Sequence, residues 1–375
     1  MDFSLSDEQV ELRDLARKIL EDIATNDRLK EIESKDPVFD EKLWGELAKA
    51  NLVGVAIPEE FGGSGFGSLE LCVLLQEIGR AVAPVPAVAT LALGALPIAT
   101  WGSDAQKQAW LPRIAQGDAI LTAALVEHAS PNPRSPATTA TPDGDGWRLD
   151  GVKSNVPAGS LAERVLVPTR TADGRIGIFL VDPRSDGIEV AVQATSDRQP
   201  HAEIRLSGAR VRRADLLGDL DHGAEILGWL VDHATIALCA VQLGVCERGL
   251  EMTAAYSRER IQFDRPIGSF QAVHQRAADA FIHVEAMRLT LWEAAWQLAE
   301  GCLAADTVAT AKFWAAEGGQ FVSYACQHLH GGIGIDVDYP MHRYFLWAMQ
   351  NEHTLGAASA QLAEMGRELA KNGLS

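Results

Sequence analysis

Long apolar runs, a basic surplus, paired cysteines and low-complexity tracts are all missing from this 375-residue chain, and each absence removes a class of function. No segment reaches the ~20 uninterrupted apolar residues that span a bilayer, so a membrane role is not expected. Lys and Arg number 33 against 51 Asp and Glu, a formal net charge of −18. Binding to phosphate backbones or anionic lipid is driven by Lys and Arg displacing counterions, so neither nucleic acid nor membrane is an expected partner. The five cysteines, Cys72, Cys239, Cys246, Cys302 and Cys326, are scattered, odd in number and never spaced as CxxC. That pattern argues against a disulfide framework and a zinc site, and reads as small buried apolar residues in a reducing compartment. The start, Met1 to Glu8, is acidic and lacks the basic, apolar, small-residue order of a secretory signal, so a cytoplasmic location is expected.

What the chain does contain is an ordinary globular mixture, 47% hydrophobic and 22% charged, long enough for two or three domains. The first third is helical by pattern: Ser6 and Gln9 suit a capping box, and Leu12, Leu15, Ile19, Leu20 and Ile23 recur at helical spacing. A glycine-dense connection, Pro58 to Gly67, precedes a further helical run from Leu69 to Val82, with Pro84 and Pro86 as breakers. From Ala119 the pattern changes to short β-prone runs at Ile120 to Leu125, Trp147 to Val152, Arg164 to Val167, Ile176 to Val181, Ile188 to Val192 and Ile204 to Leu206. Turn formers such as Pro142 to Gly146 separate them, as expected of an antiparallel barrel or sandwich. Four long helical stretches follow, Ala224 to Tyr256, Ser269 to Glu300, Leu303 to Gln327 and Pro340 to Leu369. The expected class is α+β in three blocks: a helical domain over 1–118, a β domain over 119–217 and a four-helix bundle over 218–375. Ligand sites tend to form where such segregated layers meet.

Two motifs in the last block carry chemistry. The first runs from Arg258 to Val273 and contains Arg260, Gln262, Phe263, Phe270 and Gln271; the second is His328-Leu329-His330-Gly331-Gly332-Ile333-Gly334. Arg260 offers charge-assisted bonds to a pyrophosphate, Gln262 and Gln271 neutral hydrogen bonds, and Phe263 a flat apolar surface. Gly331 and Gly332, without side chains, let a cofactor approach the backbone, with His328 and Leu329 beside it. Taken singly, Arg260 with Asp264 reads as a helix-face ion pair and Gly-Gly as a turn.

Together these motifs resemble the acyl-CoA dehydrogenases, and the three-block layout matches that family over nearly the whole chain. The resemblance implies FAD as cofactor, with the motif Arg on the diphosphate of a flavin held mainly by the neighbouring subunit. Members of this family remove the α-proton of a CoA thioester with a Glu carboxylate while hydride leaves the β-carbon. Counting from Tyr339-Pro340, the position of that Glu holds Leu355, followed by Gly356-Ala357. Other relatives carry the base on the first bundle helix, where alignment on Gln242-Leu243-Gly244 places Ala234. A hydrocarbon takes no proton, so no catalytic base is assigned at either position. Glu352, one helical turn before Leu355, is the substitute candidate, with Asp232 a second; a solvated helix-face carboxylate is the commoner case for such acids.

A second departure concerns the family's Thr-Glu-Pro-x-x-Gly-Ser-Asp loop and Lys-x-Trp-Ile-Thr strand, which cradle the flavin ring. Here the corresponding segments are Val126-Glu127-His128-Ala129-Ser130-Pro131-Asn132-Pro133 and Lys153-Ser154-Asn155-Val156-Pro157. The aromatic group and Thr hydroxyl are gone, and Pro157 lacks an N–H. By resemblance, most closely through Gln262 to Val273 and His342-Arg343-Tyr344-Phe345, the chain is expected to be the base-lacking member of a heterotetrameric α2β2 acyl-CoA dehydrogenase of the steroid side-chain type. Its partner would be a base-bearing homologue that binds most of the acyl-CoA. The alternatives are a self-sufficient homo-oligomeric dehydrogenase using Glu352 or Asp232, and a non-redox acyl-CoA or protein-binding module.

Overall fold

The computed structural model describes residues 4–130, 132–302 and 304–372. Met1 to Phe3, Pro131 of the loop above and Leu303, the expected start of the third long helix, lie outside the described residues. The helices of the first block are α1 (Asp7–Ile23), α2 (Asn26–Glu33), α3 (Glu41–Lys49), α4 (Ser68–Ala81), α5 (Leu96–Trp101) and α6 (Asp104–Ala115). The strands are β1 (Leu121–Ala123), β2 (Thr139–Asp143), β3 (Gly146–Pro157), β4 (Arg164–Thr171), β5 (Ile176–Val181), β6 (Ile188–Gln193) and β7 (His201–Arg212). After them come α7 (Gly223–Glu259), a two-rung hairpin of β8 (Ile261–Gln262) and β9 (Arg265–Pro266), and then α8 (Gln271–Ala299), α9 (Ala305–His330), α10 (Met341–His353) and α11 (Ala358–Asn372). The chain divides into two compact units, one of residues 1–31, 72–83 and 235–375, the other of residues 32–71 and 84–234.

The second unit is organised by a sheet in the order β1-β4-β2-β3-β7-β6, with β5 paired to β4. Hairpin pairings β2/β3 and β4/β5, together with β3/β7 and β6/β7, are antiparallel as expected, whereas β4 takes β1 and β2 in parallel. Alternate residues of these strands turn inward by the period-2 rule, and Leu149, Val165, Val167, Phe179, Ile204 and Leu206 form the core, with Trp147 packed 5.1 Å from Phe179 between ring centroids. β3 carries a bulge between Lys153 and Val156, where Asn155 adopts φ 51. That bulge falls within the Lys153-to-Pro157 segment singled out in the sequence.

In the first unit α1 opens on the expected capping box, Ser6 Oγ accepting from the Gln9 N–H and the Gln9 side chain from the Ser6 N–H. Small residues bring α4 against α7: a Cβ on Gly244 would meet the Gln76 carbonyl oxygen at 1.9 Å, and one on Gly79 the Val241 oxygen at 2.2 Å. α7 is long and apolar enough to cross a membrane, yet 78% of its apolar window is buried inside the protein, as in a core helix. The expected single helix from Pro340 to Leu369 is in fact two. Leu355 and Gly356 take φ 56 and 95, conformations that no right-handed helix contains, and Gln361 Nε2 donates to the carbonyls of both residues across the break.

Candidate functional site

The first motif lies on the connection between α7 and α8. Phe263 and Asp264, at φ 53 and 60, form the two-residue turn between β8 and β9, the left-handed geometry that closes a tight hairpin. Its base is tied by the Arg260 N–H to the Tyr256 carbonyl, 2.9 Å, and the Ile267 N–H to the Arg260 carbonyl, 2.8 Å. Phe263 is 86% exposed and meets Phe270 edge to face at 6.1 Å, while the Arg265 guanidinium lies 4.1 Å over the Phe270 ring. Gln262 donates to the Ile261 carbonyl, and Gln271 opens α8 on the surface. The helix-face pair of Arg260 with Asp264 does not form, and among the described residues Arg260 has no ion-pair partner. The connection therefore holds the Arg260 guanidinium outward without an ion-pair partner among the described residues, beside the exposed Phe263 ring and the Gln262 and Gln271 amides, of which Gln262 bonds the Ile261 carbonyl.

The second motif caps α9. Gly331 sits at φ 64, ψ −142, and its N–H closes on the carbonyls of Gln327 and His328. A Cβ at Gly331 or Gly332 would meet nothing within 4 Å, so the backbone there faces open space. His328 is exposed and Leu329 half-buried beside it. This donor set, a free guanidinium with side-chain amides and a bare backbone turn, fits the diphosphate and adenosine of a dinucleotide.

Three residues outside the candidate set join the two motifs. His330 is buried, its Nδ1 donating to the Cys326 carbonyl at 2.8 Å and its Nε2 3.1 Å from the Tyr339 hydroxyl. The Tyr256 ring, one turn before Arg260, stacks on the imidazole at 4.6 Å and 21°. The legible signals were a His immediately before Gly-Gly and a Tyr four residues before the motif Arg; nothing in the spacing showed that they would meet.

Of the two positions where the resemblance puts the base, Leu355 is half-buried in the α10–α11 turn and Ala234 is buried in α7. Glu352 departs from the solvated helix-face expectation: it is 9% exposed and accepts from Gln320 Nε2 at 3.2 Å. Beneath it the Lys312 ammonium donates to the carbonyls of Asn351, 2.6 Å, and Glu352, 3.2 Å, at the negative end of α10. Burial pushes Lys312 down to about 8, opposed by Cys239 and Glu352. Asp232 is pushed up by burial and drawn back by Arg134, which pairs with it and also donates to the Gly228 carbonyl.

In the β segment that departs from the family's flavin cradle, Glu127 and Lys153 form a buried ion pair. Glu127 also accepts from the Ala137 N–H at 2.6 Å and the Thr138 hydroxyl at 2.7 Å, and Lys153 donates to the Pro168 carbonyl at 2.7 Å. Burial raises the carboxylate, but Lys153 and the Thr138 and Ala137 donors outweigh it and hold Glu127 below its ordinary range. Burial brings Lys153 to about 8 against the pull of Glu127. The Asn155 N–H, in the bulge, is taken by Gln193 Oε1 at 2.7 Å. The Glu127 carboxylate, the Lys153 ammonium and the Asn155 N–H are thus all taken up by neighbours within the same unit.

A helical block, a curled middle sheet and a helical bundle with these two motifs define a flavin-dependent acyl-CoA oxidoreductase, and the chain belongs to the acyl-CoA dehydrogenase family, whose members use FAD. The family's N-terminal domain matches residues 6–118 and its C-terminal domain residues 221–370. The chain is 42% identical to the acyl-CoA dehydrogenase FadE27 of Mycobacterium tuberculosis, over 99% of each. Among solved structures, it resembles a chain of the ChsE4-ChsE5 complex from Mycobacterium tuberculosis with TM-score 0.95 and 41% identity over 100% of both. It also resembles a chain of the Tcur3481-Tcur3483 steroid ACAD, with TM-score 0.93 and 46% identity, over 99% of this chain and 100% of that one.

Proposed function

We propose that this chain is the base-lacking subunit of a hetero-oligomeric acyl-CoA dehydrogenase that introduces a 2,3 double bond into a CoA thioester, with a steroid side chain as the acyl class. The observation that carries the reading is Leu355, a hydrocarbon at the end of a helix and turn that are otherwise fully built. The kinship with FadE27 and with chains of two paired assemblies, one named as a steroid ACAD, supports both the partner and the substrate class. In this reading Arg260, Gln262, Phe263, Phe270 and Gln271, with His328, Leu329, Gly331 and Gly332, contact the FAD held mainly by a base-bearing partner. When bound, FAD supplies the hydride acceptor. This chain's share is to neutralise the diphosphate through Arg260 and to offer hydrogen bonds and a flat surface to the rest of the dinucleotide. The domain boundaries 1–118, 119–217 and 218–375 belong to the same reading and are supported by the two family matches.

The self-sufficient alternative is weakened by the pairing of Asp232 with Arg134 and the bond from Gln320 to Glu352. The deciding experiment is the visible flavin spectrum of the chain purified alone and again after co-expression with a base-bearing relative, followed by addition of a steroid acyl-CoA. A colourless lone chain that becomes yellow and bleachable only with its partner is the expected result. A lone chain that is yellow and bleaches unaided overturns the reading.

A further inference from the structure

One imidazole occupies the junction of both motifs. His330 is 4% exposed, and each of its three contacts runs to a different segment. A carbonyl only accepts, so the 2.8 Å contact with the Cys326 oxygen fixes the proton on Nδ1. Nε2 is then an acceptor, and the Tyr339 hydroxyl at 3.1 Å donates to it. The ring face is covered by Tyr256, whose carbonyl accepts the Arg260 N–H at the root of the hairpin. Tyr339 itself closes the segment that follows Gly331 and Gly332, its ring 6.4 Å from Tyr256. Burial disfavours the charged imidazole and the Cys326 carbonyl favours it, the balance leaving His330 below its ordinary range and hence neutral near pH 7.

We propose that His330 is a positioning residue that couples the two motifs, fixing the Arg260 hairpin and the Gly331-Gly332 turn in one geometry so that both meet the same dinucleotide. This rests on the reading that the motifs form one half of an FAD site. His330 contacts no cofactor in this role; it acts through Tyr256 on one side and through its own helix end and Tyr339 on the other. Both imidazole nitrogens are bonded and one face is stacked, and in this proposal a change on one side is felt on the other through the ring.

The test is amide hydrogen exchange on the intact chain, read across the imidazole. Tyr339→Phe removes only the hydroxyl that His330 accepts, and the Arg260 and Ile267 amides should exchange about five-fold faster, the usual consequence of one lost hydrogen bond. Tyr256→Leu removes the stacked face, and exchange of the Gly331 amide should rise by a similar factor, about five-fold, with the melting midpoint of both variants close to the parent. Exchange that rises only on the substituted side overturns the proposal. A second measurement uses the flavin-loaded complex, where Tyr339→Phe should weaken FAD binding in the parent but much less in an Arg260→Ala background. Fully additive losses overturn the coupling. If Arg260→Ala leaves FAD binding untouched, the site reading itself fails, while the cross-imidazole exchange result still decides the coupling.

Discussion

The α7–α8 connection and the Glu127–Lys153 segment are the two places where this chain concentrates polar groups of binding character, and they use them in opposite ways. On the connection, Arg260 has no ion pair among the described residues, Phe263 is 86% exposed, and the root of the hairpin is closed by the backbone bonds of Arg260 and Ile267. In the β segment the carboxylate, the ammonium and the bulged Asn155 N–H are each satisfied by neighbours in the same unit. A polar group that the fold has already satisfied has no free bond to give a ligand, whereas one held rigidly outward loses little on binding. The difference teaches where to look for binding function in this chain: in unsatisfied outward groups rather than in the strongest buried interactions.

The sharpest way to break this comparison is to attack the buried side. Lys153→Met leaves Glu127 charged and buried with neutral donors only, and should cost about 3–5 kcal/mol of stability in urea unfolding. The sign with pH follows from the carboxylate. Its folded pKa is depressed, so its contribution is complete above the unfolded value near ~4.3 and is lost as pH falls through the lower folded value. The deficit of Lys153→Met should therefore shrink in acid. A deficit that is flat down to pH 2 would show that the pair contributes no electrostatic stabilisation.

Arg260→Ala probes the exposed side. The unfolding midpoint should not move, because the side chain supports nothing in the chain, while FAD retention by the complex should fall at least ~10-fold through loss of a charge-assisted bond. Unchanged flavin content would remove Arg260 from the site. Lys312→Met stands between the two cases, since its ammonium is buried like Lys153 but its hydrogen bonds go to carbonyls. The expected cost is about 1–3 kcal/mol, from unsatisfied oxygens at the end of α10. Here the folded pKa, about 8, lies below the unfolded ~10.4, so between those values the unfolded chain binds the extra proton and the parent gains stability as pH rises. Lys312→Met should lack that gain, and unfolding midpoints at pH 8 and pH 10 would show it.

Much of this was legible in the sequence, for physical reasons that can be stated. The Ser6–Gln9 capping box and the short β-prone runs of the middle block are local patterns, and local geometry largely determines them, whereas the β8–β9 hairpin inside the first motif was not foreseen. The parallel registry of β4 with β1 and β2 was not legible, because it depends on which distant strands meet after closure. The break at Leu355 hid behind a continuous helical pattern, since a single left-handed residue leaves no mark when it is not Gly, and only the following Gly356 signalled it. Within the candidate site, the exposure of Phe263 and the bare Gly331-Gly332 backbone follow from local sequence, but the Tyr256–His330–Tyr339 junction joins residues of three separate segments. Glu352 was expected in solvent because helix-face carboxylates usually are; that Gln320, from α9, would donate to it depends on a contact between distant segments.

Leu355→Ala is the smallest expected effect and tests the claim that the turn no longer does chemistry. The residue is half-buried at φ 56, and the break around it is held by Gly356 and by Gln361 donating to the carbonyls of residues 355 and 356. Those bonds involve backbone and survive the substitution. Removing part of a half-buried side chain should cost about 1 kcal/mol, less than a fully buried Leu would. Turnover of the complex on its acyl-CoA should stay within about two-fold of the parent, because hydrocarbon neither accepts a proton nor carries charge in the transition state. If kcat instead collapsed while the melting midpoint and flavin content held, the side chain at 355 would have to be packing against the reacting acyl group, and the α10–α11 turn would move from the scaffold side of the comparison to the functional one.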